Sequence, residues 1–124
     1  MRVGAFFLLL SCVSPAARGE PGWRDRARRN PRTASLPNPY AEDPEAAKAG
    51  AKLYGQHCSS CHGTDGRGSR RSPPVHSPAV AEAQPGELYW LLRNGSLRRG
   101  MPSWSHLPPE QRWQLVAWLK SMQR

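Results

Sequence analysis

The chain has 124 residues, of which 18 are Lys or Arg and 9 are Asp or Glu, so its formal net charge is +9. This length fits one small domain and excludes a large multidomain enzyme. No run of 18 apolar residues occurs, so no membrane-spanning helix is expected after the N-terminal segment. Three Cys are too few for a framework of disulfides.

The N-terminal segment, residues 1–19, has the order of a secretory signal peptide: a positive charge, a short apolar run and then small residues. Cleavage is expected after Ala16 or Gly19. A second route is open, because the residues up to Cys12 resemble a bacterial lipoprotein signal, in which that Cys becomes the lipidated first residue. Both routes predict a periplasmic or exported protein, and the second also predicts a membrane anchor.

A disordered, basic tether is expected over residues 20–42, ahead of a folded domain at residues 43–124. The stretch 18–40 holds six Arg, two acidic residues and four Pro, with almost no apolar periodicity. It buries too little surface to offset the entropy of ordering it. Its charge favours either contact with anionic phospholipid or simple solvation as a linker. Nucleic acid is not expected as a partner of an exported chain.

Three main helices are predicted in the folded part, and no segment alternates with period two for long enough to form a strand. The fold class is therefore predicted to be all-α. Acidic or proline residues mark the helix starts, and Gly95 marks one helix end. The predicted helices run from Asp43 to about Gly55, from Gln84 to Asn94 and from Pro108 to about Met122.

Each predicted helix has an apolar face at helical spacing. Gly50 in the middle of the first helix costs about 1 kcal/mol relative to Ala, so another element is expected to pack closely there. The irregular stretches 63–84 and 96–107 are long for so small a domain and are expected to wrap a large apolar group that is not protein. The faces consist of Ala46, Gly50, Leu53 and Tyr54, then Leu88, Leu91 and Leu92, then Leu115, Trp118, Leu119 and Met122.

One short motif carries most of the functional information. Cys58-Ser59-Ser60-Cys61-His62 has the C-x-x-C-H spacing of c-type haem attachment. Two thiols that are three residues apart can reach the two vinyl groups of one haem and form thioethers. The imidazole of the next residue, His62, then points at the iron from the same side. The motif predicts one covalently bound haem c.

Paired thiols can also bind zinc or act as a redox pair. A zinc site needs two more Cys or His ligands at matched spacing, and the sequence has no second C-x-x-C. A thioredoxin-like redox pair needs a βαβ context, which the pattern does not provide. Haem attachment is the interpretation that remains.

The haem iron also needs a sixth ligand or an open position. Met101 lies between Gly100 and Pro102 in an irregular stretch, away from any helix face. A His/Met ligand pair is the one used by electron-transfer cytochromes c. The alternatives left open are His76, His106, Met122 or no ligand, although Met122 lies on a helix stripe and is expected in the core.

With these residues in view, the chain resembles the small, monohaem class I cytochromes c over residues 43–124. GAKLYGQHCSSCHGTDGRG resembles the first helix and attachment site of that family. RNGSLRRGMPSW resembles its Met-ligand loop, and LPPEQRWQLVAWLKSM resembles its C-terminal helix. The resemblance implies His62 and Met101 as the axial iron ligands.

The resemblance also implies contacts within the domain. The first and last helices of the family cross closely, so Gly50 and Tyr54 should meet Leu115 and Trp118, which accounts for the glycine. A proline carbonyl should accept the axial imidazole N–H. The remaining implied residues are Pro74 for that carbonyl, with Pro73 as the alternative, and Trp90 and Leu91 as lining of the haem pocket.

The function implied is one-electron transfer by a monomeric carrier that is not itself an enzyme. Its expected partners are redox proteins such as a dehydrogenase, an oxidase or another cytochrome of a respiratory chain. The alternative is a haem-based ligand-binding or peroxidase-like protein with a weak or absent Met ligand. Exposed arginines beside the two long loops are candidates for docking an acidic partner or are ordinary solvated surface: Arg67, Arg70, Arg71, Arg98 and Arg99.

Overall fold

The computed structural model describes residues 22–124. Their regular structure is helical, apart from an isolated bridge between Ser96 and Met101. The predicted all-α class is confirmed. The expected signal segment, including Cys12, lies outside the described residues. The helices are α1 (Gly22–Arg28), α2 (Pro31–Ala34), α3 (Pro44–His57), α4 (Ser59–His62), α5 (Pro78–Glu82), α6 (Pro85–Asn94) and α7 (Pro109–Ser121), with a 3-10 turn at Leu97–Arg99.

The three predicted main helices correspond to α3, α6 and α7, with ends within about two residues of the expected ones. Proline begins each of them, since its missing N–H is not needed in the first turn. At α3 the Asp43 carboxylate accepts a hydrogen bond from the Glu45 amide at 2.9 Å. The helix starts are therefore predictable from the sequence, because capping depends on neighbouring residues.

Helices α3 and α7 cross at the glycine that the sequence singled out. A Cβ atom on Gly50 would clash with the Gln114 carbonyl and lie 2.8 Å from Trp118 Cβ. One turn further, the rings of Tyr54 and Trp118 lie 6.5 Å apart. The expected close crossing is confirmed. Leu115, which was expected in the same contact, is 1% exposed in the shared core.

The core lies between α3, α6 and α7. Its most deeply buried side chains are Leu88, Leu115 and Val116. On α6 the expected buried face is partly wrong, because Leu91 is only half-buried while Tyr89 is buried. Tyr89 stacks on Trp113 of α7 at a centroid distance of 4.1 Å, so it takes a core position from the other side of the helix.

The expected disordered tether over residues 20–42 is wrong for the described residues 22–42. Helices α1 and α2 both pack against α6, and Ala27 is fully buried. A Cβ on Gly86 of α6 would lie 2.5 Å from the Ala34 carbonyl oxygen, so that glycine lets α2 approach closely. Asn38 adds a buried hydrogen bond to the Trp113 carbonyl at 3.0 Å.

The physical reason for this error lies in the arginines of α1. Arg24 is 4% exposed, and its guanidinium lies 3.5 Å from the carboxylate of Glu87, which is also buried. Arg28 donates to the other oxygen of Glu87 at 2.8 Å. The sequence pattern suggests solvated charges, but part of this charge is neutralised by a carboxylate 59 residues away in sequence.

Among the described residues, no helix is long and apolar enough to cross a membrane.

Candidate functional site

The C-x-x-C-H motif forms one compact helical turn directly after α3. The amides of Cys61 and His62 both donate to the Cys58 carbonyl, at 3.2 and 2.9 Å. Gly63 then ends the turn with φ +82°, a conformation that favours glycine. The turn places Cys58 and Cys61 three residues apart on one helical face, which is the arrangement that attachment of one haem needs.

The imidazole of His62 is oriented by a backbone carbonyl. Its Nδ1–H donates to the carbonyl oxygen of Pro73 at 2.7 Å. This corrects the expected acceptor, Pro74, to the alternative, Pro73. The direction of a carbonyl in a loop depends on tertiary contacts, so the sequence alone does not decide between two neighbouring prolines. With Nδ1 protonated, Nε2 keeps its lone pair and can ligate a metal.

The loop that carries Pro73 is folded by its own backbone. Gly66 accepts hydrogen bonds from the amides of Val75 and His76 at 2.8 and 2.9 Å. Gly68 donates to the His62 carbonyl at 2.8 Å, and a Cβ on Gly68 would lie 2.7 Å from the Pro74 nitrogen. The glycines therefore let the loop close tightly around the imidazole, with a carbonyl held at its Nδ1.

Met101 lies at the end of a tight turn on the other loop. Its backbone exchanges two hydrogen bonds with Ser96, at 2.9 and 3.1 Å. Gly95 has φ +69° and has no room for a side chain, because a Cβ would lie 2.6 Å from the Pro102 carbonyl. Beyond Met101, the Trp104 amide donates to the Leu92 carbonyl of α6 at 2.8 Å. The turn thus attaches Met101 firmly to the end of α6.

The structure brings the end of α3 close to the loop that carries Met101. The ring of His57, immediately before the motif, lies 4.9 Å from the ring of Trp104, three residues after Met101. Cys58, Met101 and Trp104 are apolar, only half-buried and packed against the edge of the core. These groups fit a c-type haem. They are an oriented imidazole, two free thiols, a thioether and half-buried apolar side chains.

The environment of Cys58 favours the protonated thiol. Burial, and to a smaller extent the neighbouring Cys61, raise the pKa of the Cys58 thiol to about 11. Zinc sites need thiolates and at least three ligands. Within residues 22–124, no group of three His, Cys, Asp or Glu side chains could hold a metal ion. The donor set suits haem rather than a closed metal site.

The other residues considered from the sequence fall in three places. Trp90 and Leu91 are half-buried on α6 and lie outside the core cluster, so their expected contact with haem stays a prediction. His76 is exposed in the first loop, and His106 is exposed beside Trp104, with ring centroids 5.5 Å apart. Met122 packs against the core, as expected from its helix stripe.

The sequence analysis missed Arg112, which is 6% exposed on α7. Its guanidinium donates to the carbonyls of Ser105 and Leu107, at 2.9 and 2.6 Å, and to the Tyr89 hydroxyl at 2.9 Å. No sequence pattern predicts this role, because an arginine in a C-terminal helix is normally expected to be solvated. Arg112 fixes the loop that follows Met101 to the last helix.

Comparisons with known proteins identify the family. A family model described as "Cytochrome C oxidase, cbb3-type, subunit III" matches residues 45–119. The quinohemoprotein alcohol dehydrogenase ADH IIB of Pseudomonas putida is 32% identical over 88 residues, which make up 69% of this chain. This chain spans only 12% of the length of that enzyme.

A solved structure gives the same fold. Cytochrome CL from the marine methylotrophic bacterium Methylophaga aminisulfidivorans MPT matches with a TM-score of 0.61 and 26% identity, over 77% of this chain and 66% of that one. The family match covers more than half of the chain and includes both the C-x-x-C-H turn and the Met101 turn. The chain therefore belongs to this cytochrome c family, and its cofactor is a covalently bound haem c.

Proposed function

We propose that this domain is a one-electron carrier that exchanges electrons with a dehydrogenase or another redox protein, and that it does not itself transform a substrate. The observation that supports the proposal is that the backbone orients both candidate iron ligands. His62 is fixed by the Pro73 carbonyl, and Met101 is fixed by its bridge to Ser96. Two protein ligands leave no iron position for a substrate.

The residues that hold the cofactor follow from this arrangement. Cys58 and Cys61 form the two thioethers, while His62 and Met101 are the axial ligands. Trp90 and Leu91 of α6 are the proposed additional pocket lining. When bound, the haem supplies the one-electron couple between ferric and ferrous iron.

The chain's own residues keep the two oxidation states alike. The Pro73 carbonyl holds the His62 ring in one orientation and one tautomer. The glycine-closed loops and the hydrogen bonds at Met101 limit movement of both ligands. Half-buried Met101 and Trp104 shield the site from water. Little has to rearrange when the charge changes, which favours fast electron exchange.

The dehydrogenase as partner is supported by the comparisons. One relative is a quinohemoprotein alcohol dehydrogenase, which contains a segment similar to this chain. A chain with a similar segment is suited to accept electrons from such an enzyme. We further propose that residues 1–19 direct export, with or without lipidation of Cys12, because thioether attachment in bacteria occurs outside the cytoplasm.

The test is spectroscopic and uses the full chain matured in a host that attaches haem c. The expected protein gains the mass of one haem, gives a pyridine haemochrome of the c type and shows the long-wavelength ferric band of Met–iron ligation. Met101→Ala should lose that band while the haem stays attached, whereas Met122→Leu should keep it. A wild-type protein without the band, but with rapid binding of carbon monoxide or peroxide turnover, would favour the ligand-binding or peroxidase-like alternative.

A further inference from the structure

The turn that leads to Met101 presents an unusual surface. Leu97 is 71% exposed, more than any other large apolar side chain in the described part of the chain. Arg98 and Arg99 follow it and are also exposed. The turn is closed by hydrogen bonds from Arg99 to Ser96 at 2.9 Å and from Gly100 to Leu97 at 3.1 Å. An apolar tip and two cations are therefore held in a fixed geometry.

Helix α1 adds a third cation to this turn. The Arg26 guanidinium is exposed and donates to the Ser96 hydroxyl at 3.3 Å. The helix is kept there by Arg24 and Arg28, whose guanidinium groups both lie against the buried carboxylate of Glu87. Arg26 lies outside the family match at residues 45–119, so this contribution belongs to the N-terminal part of this chain.

We propose that Leu97, Arg98, Arg99 and Arg26 form the docking surface for a carboxylate-rich face of a redox partner protein. This inference rests on the proposed function, since a carrier must dock to exchange electrons. We call these four residues the arginine turn. Because the turn is bridged to Met101, a docked partner would lie against the segment that holds the proposed iron ligand.

Charge complementarity identifies the partner. Between Glu87 and Glu110 the sequence has three Arg and no acidic residue. On α1, the acidic Asp25 directly precedes Arg26 in sequence, so one acid accompanies three arginines and a positive excess remains. Arginine forks pair with carboxylates in a planar, two-bonded geometry. An exposed apolar residue among them supplies the desolvated centre that protein interfaces use.

A protein fits this surface better than a lipid bilayer. Two arginines follow the apolar Leu97 on one turn, and Arg26 of α1 is hydrogen-bonded to that turn. Attraction to anionic lipid needs only an extended cluster of cations and no defined geometry. The position beside Met101 also favours a protein partner, because a redox protein, unlike a lipid, can accept or supply the electron. Membrane binding is therefore an outcome for the test to exclude.

The experiment measures electron exchange between the full haem protein and plastocyanin, an acidic copper protein used as the probe. Arg98→Glu and Arg99→Glu should each lower the second-order rate constant at low salt by about tenfold, and Arg26→Glu by about threefold. All three should flatten its dependence on salt. Leu97→Ser should weaken binding without changing the salt dependence, because it removes contact area and no charge.

Matched controls separate the arginine turn from net charge. Arg29→Glu and Arg32→Glu reverse exposed arginines of the same basic N-terminal part, and neither side chain is hydrogen-bonded to the turn. Their rate constants should stay within about twofold of wild type. Ser96→Ala removes the hydrogen bond of Arg26 but no charge, so it should have a smaller effect than Arg26→Glu. Equal losses in the control and turn variants would overturn the docking surface.

The remaining outcomes are distinguished by two further measurements. If the turn variants lose binding to vesicles containing phosphatidylglycerol while their plastocyanin rates are unchanged, the surface is a membrane site and the proposal is wrong. Exchange with hexaammineruthenium, a small cationic complex, tests the carrier function itself. A wild-type protein that does not react even with this complex would overturn both proposals, whereas normal exchange with insensitive turn variants would overturn the docking surface alone.

Discussion

The crossing of α3 with α7 and the pair of loops beside it are held together by different forces. At the crossing, Gly50 lets two helices touch, and Tyr54 and Trp118 fill the space next to it. The loops have few buried side chains and are shaped by glycines and by hydrogen bonds to carbonyls. The crossing is a core in its own right, whereas the loops leave Met101 and Trp104 half-buried. Under the proposed function, the haem completes the second region and not the first.

The largest expected effect comes from removing the cofactor. Cys58→Ala combined with Cys61→Ala should leave a protein with helical content but without cooperative tertiary structure, because a domain this small is marginal without its covalent apolar group. Near-ultraviolet circular dichroism and thermal unfolding check this. The single variants, which can keep one thioether, are the control. A sharp unfolding transition of the double variant would mean that the helix crossing suffices alone.

The second prediction breaks the crossing instead of the loops. Gly50→Ala should lower the free energy of unfolding by about 3 kcal/mol, because its Cβ meets the Gln114 backbone, which cannot move away cheaply. Gly55→Ala on the same helix is a matched control. Its Cβ meets nothing within 4 Å, so the better helix propensity of Ala should stabilise the protein by roughly 1 kcal/mol. Denaturant unfolding of the holoprotein distinguishes the two, and equal effects would contradict the close crossing.

This contrast also explains what could be predicted from the sequence. The crossing was predictable because its signals are local: a proline-marked helix start, a 3.6-residue apolar face and a glycine in mid-helix. The C-x-x-C-H turn was predictable for the same reason, since its chemistry fixes its spacing. By comparison, the carbonyl acceptor was assigned to Pro74 and not to Pro73, because the direction of a carbonyl in a loop depends on tertiary contacts.

The ordered N-terminal part could not be predicted, because its cause is distant in sequence. Arg24 and Arg28 look like solvated charges until Glu87 is placed beside them. Arg112 was missed for a related reason, since its partners are backbone carbonyls, which carry no mark in the sequence. Buried arginines of this kind can be identified only when the fold is known.

The third prediction loosens the loop of Met101 without touching its turn. Arg112→Met should lower the free energy of unfolding by about 2 kcal/mol, because the carbonyls of Ser105 and Leu107 lose their donor. It should also make the ferric Met–iron band disappear at a lower pH than in wild type, since the loop can then move away. Arg112→Lys should recover part of both effects. The exposed Arg93→Met is the control and should change neither.

The smallest expected effect concerns the contact between α1 and α6, which neither the crossing nor the haem supplies. Burial alone would raise the pKa of Glu87. The hydrogen bonds from Arg28 and the Gln84 amide, together with the charges of Arg24 and Arg28, outweigh burial and lower that pKa below its usual range. The stabilisation is therefore fully present above the ordinary Glu pKa of about 4.3 and is lost as the pH falls through the lowered value.

Glu87→Gln tests whether this ion pair loses its stabilising effect as the pH falls. The variant should lose about 1 to 3 kcal/mol of stability at neutral pH and should show a smaller decline than wild type between about pH 5 and pH 3. Glu45→Gln removes an exposed pair with Lys48 and should change stability by less than about 1 kcal/mol. Hydrogen exchange of the α1 amides locates the effect. Unchanged protection of α1 at acid pH in wild type would show that the helix is held by apolar contacts around Ala27 rather than by the ion pairs.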